Sequence, residues 1–287
     1  MKIGVIDIGS NSVRLALSAD GKTLFKRIKT TRLSEGLSSS GKLCRAAIER
    51  TAQAVAGFKS QAESEGADKV FAFATAAVRS ASNGSQFTAY VKENYGIDIE
   101  VISGQTEAKI GLLGALGTSD GGIIDLGGAS CEVTVRDKGN TVYTKSVDVG
   151  AVRLLEECGR DKDKLEKYIS KKLSDYGAFN ADKYKMYGVS GTATTLAAVK
   201  QNLKEYDPQT VHGTRLSVAE VGNLAEQFLK MSVDEIKRSS GILVWRADVI
   251  GGASLFLYRL MQYMSISEIT VSENDNLEGY LIYKGEI

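Results

Sequence analysis

One proline, one histidine and three cysteines in 287 residues narrow what this chain can be. With only Pro208 and no Ser/Pro-rich tract, no long stiff linker is expected between its parts. Cys44, Cys131 and Cys158 are odd in number and widely spaced, so they suit neither a disulfide framework nor a zinc site and read as reduced thiols. His212 has no Cys or His spaced around it as a co-ligand, which argues against a metal centre or a Ser-His-Asp triad and for a solvated side chain. No apolar run approaches the roughly 20 residues that span a bilayer. The start, MKIGVIDIGSN, turns polar after one strand's length, unlike a signal peptide, so a cytoplasmic location is expected. Excess charge is also missing: 36 basic against 35 acidic side chains give no global field for nucleic acid or a membrane surface. Any anionic ligand must therefore be gripped locally. What is present, 43% apolar and 25% charged residues, is ordinary for a folded protein and enough for two domains.

The chain contains a repeat. GVIDIGSNS at residues 4–12 recurs as GIIDLGGAS at 122–130, an offset of 118 residues. At the same offset VRLAL (13–17) falls on CEVTV (131–135), Gly21 on Gly139, and Thr23-Leu24-Phe25 on Thr141-Val142-Tyr143. Each copy reads as strand, glycine-bearing turn, strand, tight turn, strand. VFAFAT (70–75) and MYGVSGT (186–192) each read as a strand entering a helix through small residues, and 97–102 as a further strand. Helices are expected over 45–65, stopped by Gly66, over 218–229 as its second-half counterpart, and over 277–283 near the C-terminus. The pattern is a mixed-sheet α/β domain present twice, 1–118 and 119–287, with the glycine-rich 114–122 as either a hinge or a surface loop.

In DIGSNS (7–12) and DLGGAS (125–130), small residues after a buried strand let backbone N–H groups approach an anion. Gly9, Ser10, Asn11 and Ser12, and Gly127, Gly128, Ala129 and Ser130, are thus candidate phosphate contacts. Asp7 and Asp125 end apolar strands, where a carboxylate is costly unless donors or a cation meet it. Magnesium bridged to phosphate suits them, with Glu132 as a further ligand if it points the same way. A single such turn would be structural; two in register argue for a phosphate clamp.

The two loops and GVSGTATTL (188–196) resemble the superfamily of actin, the Hsp70 ATPase domain and sugar kinases. DIGSNSVRL, FATAAVR (73–79), SGQTEA (103–108), IDLGGASCE (124–132) and VGAVRL (149–154) are more narrowly similar to the exopolyphosphatase/guanosine pentaphosphate phosphohydrolase (Ppx/GppA) family. This resemblance implies an α/β fold of two duplicated ribonuclease H-like (actin-like ATPase) domains with mixed sheets and an interdomain cleft. It implies a cytoplasmic hydrolase, tied to the stringent response, that releases terminal orthophosphate from polyphosphate or from guanosine penta-/tetraphosphate with Mg2+, or Mn2+ in its place. Glu107 matches the catalytic glutamate that orients and deprotonates water; Asp125, Glu132 and Asp7 match metal sites. Thr75, Arg79, Arg14, Gly191, Thr192 and Arg246 join the two loops as substrate contacts, and a homodimer is implied. The chain departs from the family near its end: Trp245-Arg246 stands for a Glu-Arg pair, and Asp275-Asn276-Leu277-Glu278-Gly279 lacks the arginine of a Gly-Leu-Arg-Glu-Gly run. A superfamily kinase, or a non-catalytic nucleotide sensor or actin-like assembly protein, are the competing readings.

Overall fold

The computed structural model describes residues 1–239 and 243–287. Two compact units emerge: Met1–Gly114 with Asn276–Ile287, and Ala115–Asp275.

The first unit begins with the expected meander, β1 (Lys2–Ile8), β2 (Ser12–Ala19) and β3 (Lys22–Thr30). After it come α1 (Leu37–Ser40), α2 (Arg45–Ser64), β4 (Lys69–Ala74), α3 (Ala76–Ser80), α4 (Gly84–Tyr95), β5 (Glu100–Val101) and α5 (Gly104–Leu116). The sheet order is β3-β2-β1-β4-β5, with β1 antiparallel to β2 and parallel to β4. β1 is buried on both faces from Ile3 onward, which is why it reads as an unbroken apolar run. Ile6 and Ile8 pack with Val55, Phe58 and Phe87 on one face, and Ile3 and Val5 pack with Ile110 on the other.

The second unit repeats the plan with β6 (Gly121–Leu126), β7 (Cys131–Asp137), β8 (Asn140–Val147), α6 (Ala151–Cys158), α7 (Lys162–Leu173), β9 (Met186–Val189) and α8 (Ser190–Lys200). It continues through α9 (Pro208–Val211), β10 (Arg215–Ser217), α10 (Val218–Lys230), α11 (Val233–Ser239), α12 (Ile250–Tyr263) and β11 (Glu268–Val271). The order β8-β7-β6-β9-β11 matches the first sheet strand for strand, and β10 adds an edge. The duplication extends to fine geometry. Asp20-Gly21 and Lys138-Gly139 both have positive φ, the backbone of a two-residue hairpin turn that follows the strand twist. The register slips between Leu17 and Ser18 in one meander and between Val135 and Arg136 in the other, again 118 residues apart.

Three expectations are corrected. The strand placed over 97–102 is shorter: its register with β4 covers Glu100 and Val101, the Ile102 amide donates to the Ala74 carbonyl, and Ile97 and Ile102 are buried on either side. The helix over 218–229 forms, but it follows β10 and packs on α12; the span equivalent to α2, between the third and fourth strands of its repeat, holds α6 and α7. Of the two readings of 114–122, the contacts of 117–120 within the second unit fit the surface loop. Arg136 donates to the Gly117 carbonyl at 2.8 Å, and the Asp120 carboxylate accepts from the Lys138 and Gly139 amides. The domain boundary falls between Gly114 and Ala115, and the last helix, α13 (Asn276–Lys284), belongs to the first unit. Leu277, Tyr280 and Leu281 of α13 close the Ile3/Val5 face, with Tyr280 stacked on Phe73 at 4.5 Å.

Candidate functional site

In the first unit, β1 delivers Asp7 to the turn that carries Gly9, Ser10, Asn11 and Ser12. Gly9 donates to the Ser12 carbonyl at 3.0 Å and closes the turn. The carbonyls behind it are taken: Ser10 accepts from the Ser34 amide, and Asn11 accepts from the amides of Thr31 and Arg32. Among the described residues the Ser10 and Asn11 amides donate to no backbone carbonyl. In a trans peptide the carbonyl of one residue and the N–H of the next point opposite ways. Holding the Ser10 carbonyl therefore directs the Asn11 N–H away from residues 31–34. Arg14 lies directly across from Asp7 in the β1–β2 register and forms a part-buried ion pair with its carboxylate.

Thr75, at the end of β4, donates its amide to the Ile8 carbonyl and accepts from the Arg79 amide, which ties α3 to the same strand end. Arg79 donates from one Nη to the Ile102 carbonyl at 3.0 Å and to Glu107 Oε2 at 2.8 Å. Glu107 sits in the first turn of α5, whose start is fixed by Ser103 Oγ accepting from the Thr106 amide. Its side chain is buried (7% exposed), so it is no solvated first-turn charge, and Arg79 holds its Oε2.

The second unit builds the equivalent turn with a different backing. Gly127 donates to the Ser130 carbonyl at 3.0 Å, repeating the Gly9 bond. The Gly127 carbonyl accepts from Ala151, and the Gly128 carbonyl accepts from Val152 and Arg153, all in the first turn of α6. Gly150 makes this approach possible: a Cβ there would lie 2.5 Å from the Ala129 nitrogen. The Gly128 and Ala129 amides, like their counterparts, donate to no backbone carbonyl among the described residues.

Asp125 and Glu132 face each other in the β6–β7 register, the positions that hold Asp7 and Arg14 in the first repeat. Both are buried, at 5% and 2% exposure, so Glu132 is not an exposed strand residue. Ser146 on β8 donates to Glu132 at 2.6 Å, and Ser190 donates to Asp125. Ser190 holds a left-handed backbone (φ 66°) at the start of α8, a strained conformation for serine. The next residue, Gly191, lies under Arg246, and a Cβ there would collide with the guanidinium. The Thr192 hydroxyl is buried without a hydrogen-bond partner among the described residues. Like charges set opposite each other on neighbouring strands repel. Two such carboxylates, each held by a serine hydroxyl, form a donor set suited to a hard divalent cation that completes its shell with water and phosphate oxygens. No cluster of three or more Asp, Glu, His or Cys disposed to hold a metal occurs among the described residues.

A family model for the Ppx/GppA phosphatase family matches residues 13–284. The chain belongs to that family. Among its Ppx/GppA relatives, Exopolyphosphatase 2 of Mycobacterium tuberculosis is 28% identical, covering 97% of this chain and 97% of its own length. The bifunctional 3-dehydroquinate synthase/phosphatase of Fusobacterium nucleatum is also 28% identical over 96% of this chain, which spans 46% of that longer protein. The crystal structure of an exopolyphosphatase from Cytophaga hutchinsonii superposes with a TM-score of 0.85 at 25% identity, covering 99% of this chain and 98% of the other.

Several Ppx/GppA site neighbours escaped sequence reasoning. Arg153 donates its Nε to the Ala129 carbonyl at 2.9 Å, and its only signal was its place in VGAVRL. Ser146 and Ser190 act through strand register and backbone strain, which single-residue patterns do not carry. His212 is exposed, with Nδ1 accepting from the Glu273 amide.

Proposed function

We propose that this Ppx/GppA phosphatase is a magnesium-dependent hydrolase that removes terminal orthophosphate from inorganic polyphosphate, with guanosine pentaphosphate as a second substrate. The observation that carries the reading is Glu107, a buried carboxylate on the first turn of a helix whose Oε2 is held by Arg79 at 2.8 Å. A carboxylate so restrained can hold a water and take its proton. The water oxygen bonds to the terminal phosphorus as the bridging P–O bond breaks, and the bridging oxygen leaves on the shortened chain. In the first unit the Asn11 amide, and in the second unit the Gly128 and Ala129 amides, are the donors we assign to phosphoryl oxygens. Arg246, resting on Gly191, and the Thr192 hydroxyl serve the distal chain. Asp125 and Glu132 would hold Mg2+, which supplies charge neutralisation for the phosphoryl oxygens. Asp7 was expected as a further ligand, but its carboxylate is engaged by Arg14, and we assign it to fixing the first loop. The exopolyphosphatase relatives support polyphosphate as substrate. Three free cysteines support a cytoplasmic location, and no helix of the described residues is long and apolar enough to cross a membrane.

Orthophosphate release from short polyphosphate, long polyphosphate and guanosine pentaphosphate, each with Mg2+ and with EDTA, tests the reading. Release from polyphosphate that requires Mg2+ is expected. Ligand binding with no release from any of the three would overturn it.

A further inference from the structure

The two phosphate loops share a turn but not what stands behind it. Behind the first, residues 31–34 supply backbone amides and the Ser34 hydroxyl to the carbonyls of Ser10 and Asn11. Behind the second, the first turn of α6 supplies three amides, and a charged side chain is added: Arg153 donates both its amide, to Gly128, and its Nε, to Ala129. Three consecutive carbonyls, those of Gly127, Gly128 and Ala129, are thus held from one side. By the antiparallel geometry of the trans peptide, the N–H groups of Gly128, Ala129 and Ser130 are then directed to the other side. The first two are fixed by main chain alone. The third peptide, between Ala129 and Ser130, has its carbonyl fixed by Arg153 Nε.

We infer that Arg153 is a positioning residue of the second phosphate loop. Its guanidinium sets the 129–130 peptide so that the Ser130 N–H joins those of Gly128 and Ala129 as a third phosphate donor. The inference deepens the proposed function and rests on its assignment of residues 127–130 to phosphate binding. A planar guanidinium fixes the direction of its Nε–H, which a lysine ammonium at the end of a flexible stem does not reproduce. In the first loop the equivalent carbonyl, that of Asn11, accepts from the backbone amides of Thr31 and Arg32, so this loop serves as an internal control.

The test is an amide NMR titration of the 15N-labelled full chain with inorganic pyrophosphate and Mg2+, comparing wild type with Arg153→Met and Arg153→Lys. In wild type, the Asn11, Gly128, Ala129 and Ser130 amides should all shift. In both variants the Asn11 response should persist while the Ser130 response is lost, and pyrophosphate affinity should fall about tenfold in Arg153→Met, the size expected for one hydrogen bond to a charged group. Wild-type chemical shifts for second-unit amides away from the loop, such as those of Val135 and Leu196, show that the unit carrying Arg153 is folded in the variants. A Ser130 response unchanged in Arg153→Met would overturn the inference and leave the hydrolase reading standing. Wild-type behaviour of Arg153→Lys would also overturn it, since charge alone would then suffice. Absence of any shift at residues 128–130 in wild type would instead remove the phosphate-loop assignment beneath it.

Discussion

Position 14 and position 132 are the same place in two copies of one meander, and they carry opposite charges. Across from an aspartate, arginine makes a part-buried ion pair in the first unit, whereas glutamate makes a carboxylate pair in the second. Removing one partner of a buried pair costs more than the pair contributes, because the remaining charge stays desolvated. Arg14→Met should therefore destabilise the protein by about 3 kcal/mol in chemical denaturation; a loss under 1 kcal/mol would place the pair in effective contact with water. Glu132→Gln should leave the fold intact and raise the Mg2+ concentration needed for half-maximal phosphate release, whereas an unchanged requirement would take Glu132 out of the metal site. The 118-residue offset made this correspondence legible from sequence, since Arg14 and Glu132 align without a gap. It could not show that Arg79 meets Glu107, because that contact depends on how α3 leaves β4 and how Ser103 starts α5.

Helix and strand ends decide much of the local order. α10 opens with a capping box: Ser217 accepts from the Glu220 amide while Glu220 accepts from the Ser217 amide. The Glu220 carboxylate is pulled down to about 2, first by the Lys200 ammonium at 2.6 Å and then by the Ser217 amide, against a smaller opposing effect of burial. Its folded value thus lies below its ordinary value of 4.5, so the stability it contributes is present above about pH 4.5 and lost as pH falls toward 2. The difference in thermal midpoint between wild type and Glu220→Gln should be largest near neutrality and vanish by about pH 2. A difference that persists at pH 2 would mean that packing, not the charge, is responsible. Sequence periodicity found α10 as an element but misjudged its place, because amphipathic spacing reports which face is buried and not which strand precedes the helix. β5 was overextended for a related reason: Ile97 and Ile102 are buried as the core demands, yet the paired register with β4 covers Glu100 and Val101, and Ile102 adds one amide bond to Ala74.

At the scale of the chain, the first unit is completed by residues from the far end of the sequence. Glu278 accepts from Thr23 at 2.8 Å and pairs with Lys26 on β3, Tyr280 donates to Glu100 at 2.5 Å, and a Cβ at Gly279 would run into the Ile110 carbonyl of α5, one turn from Glu107. Burial also raises the Tyr280 hydroxyl's pKa, which keeps it a donor. Gly279→Val should cost about 1–3 kcal/mol by overpacking and accelerate hydrogen exchange in 1–114 and 276–287 while 115–275 keeps its protection. Uniform loosening of both units would contradict the division. Sequence could mark 277–283 as helical from its apolar spacing, but contacts 180 or more residues distant, such as Tyr280 with Glu100, have no local signature.

The most direct test of the whole account is steady-state phosphate release from polyphosphate in saturating Mg2+ by wild type and Glu107→Gln. In Glu107→Gln, kcat should fall by about 10²–10⁴-fold, the usual contribution of a positioned general base, while KM is nearly unchanged. A Glu107→Gln variant that retains wild-type kcat would contradict it.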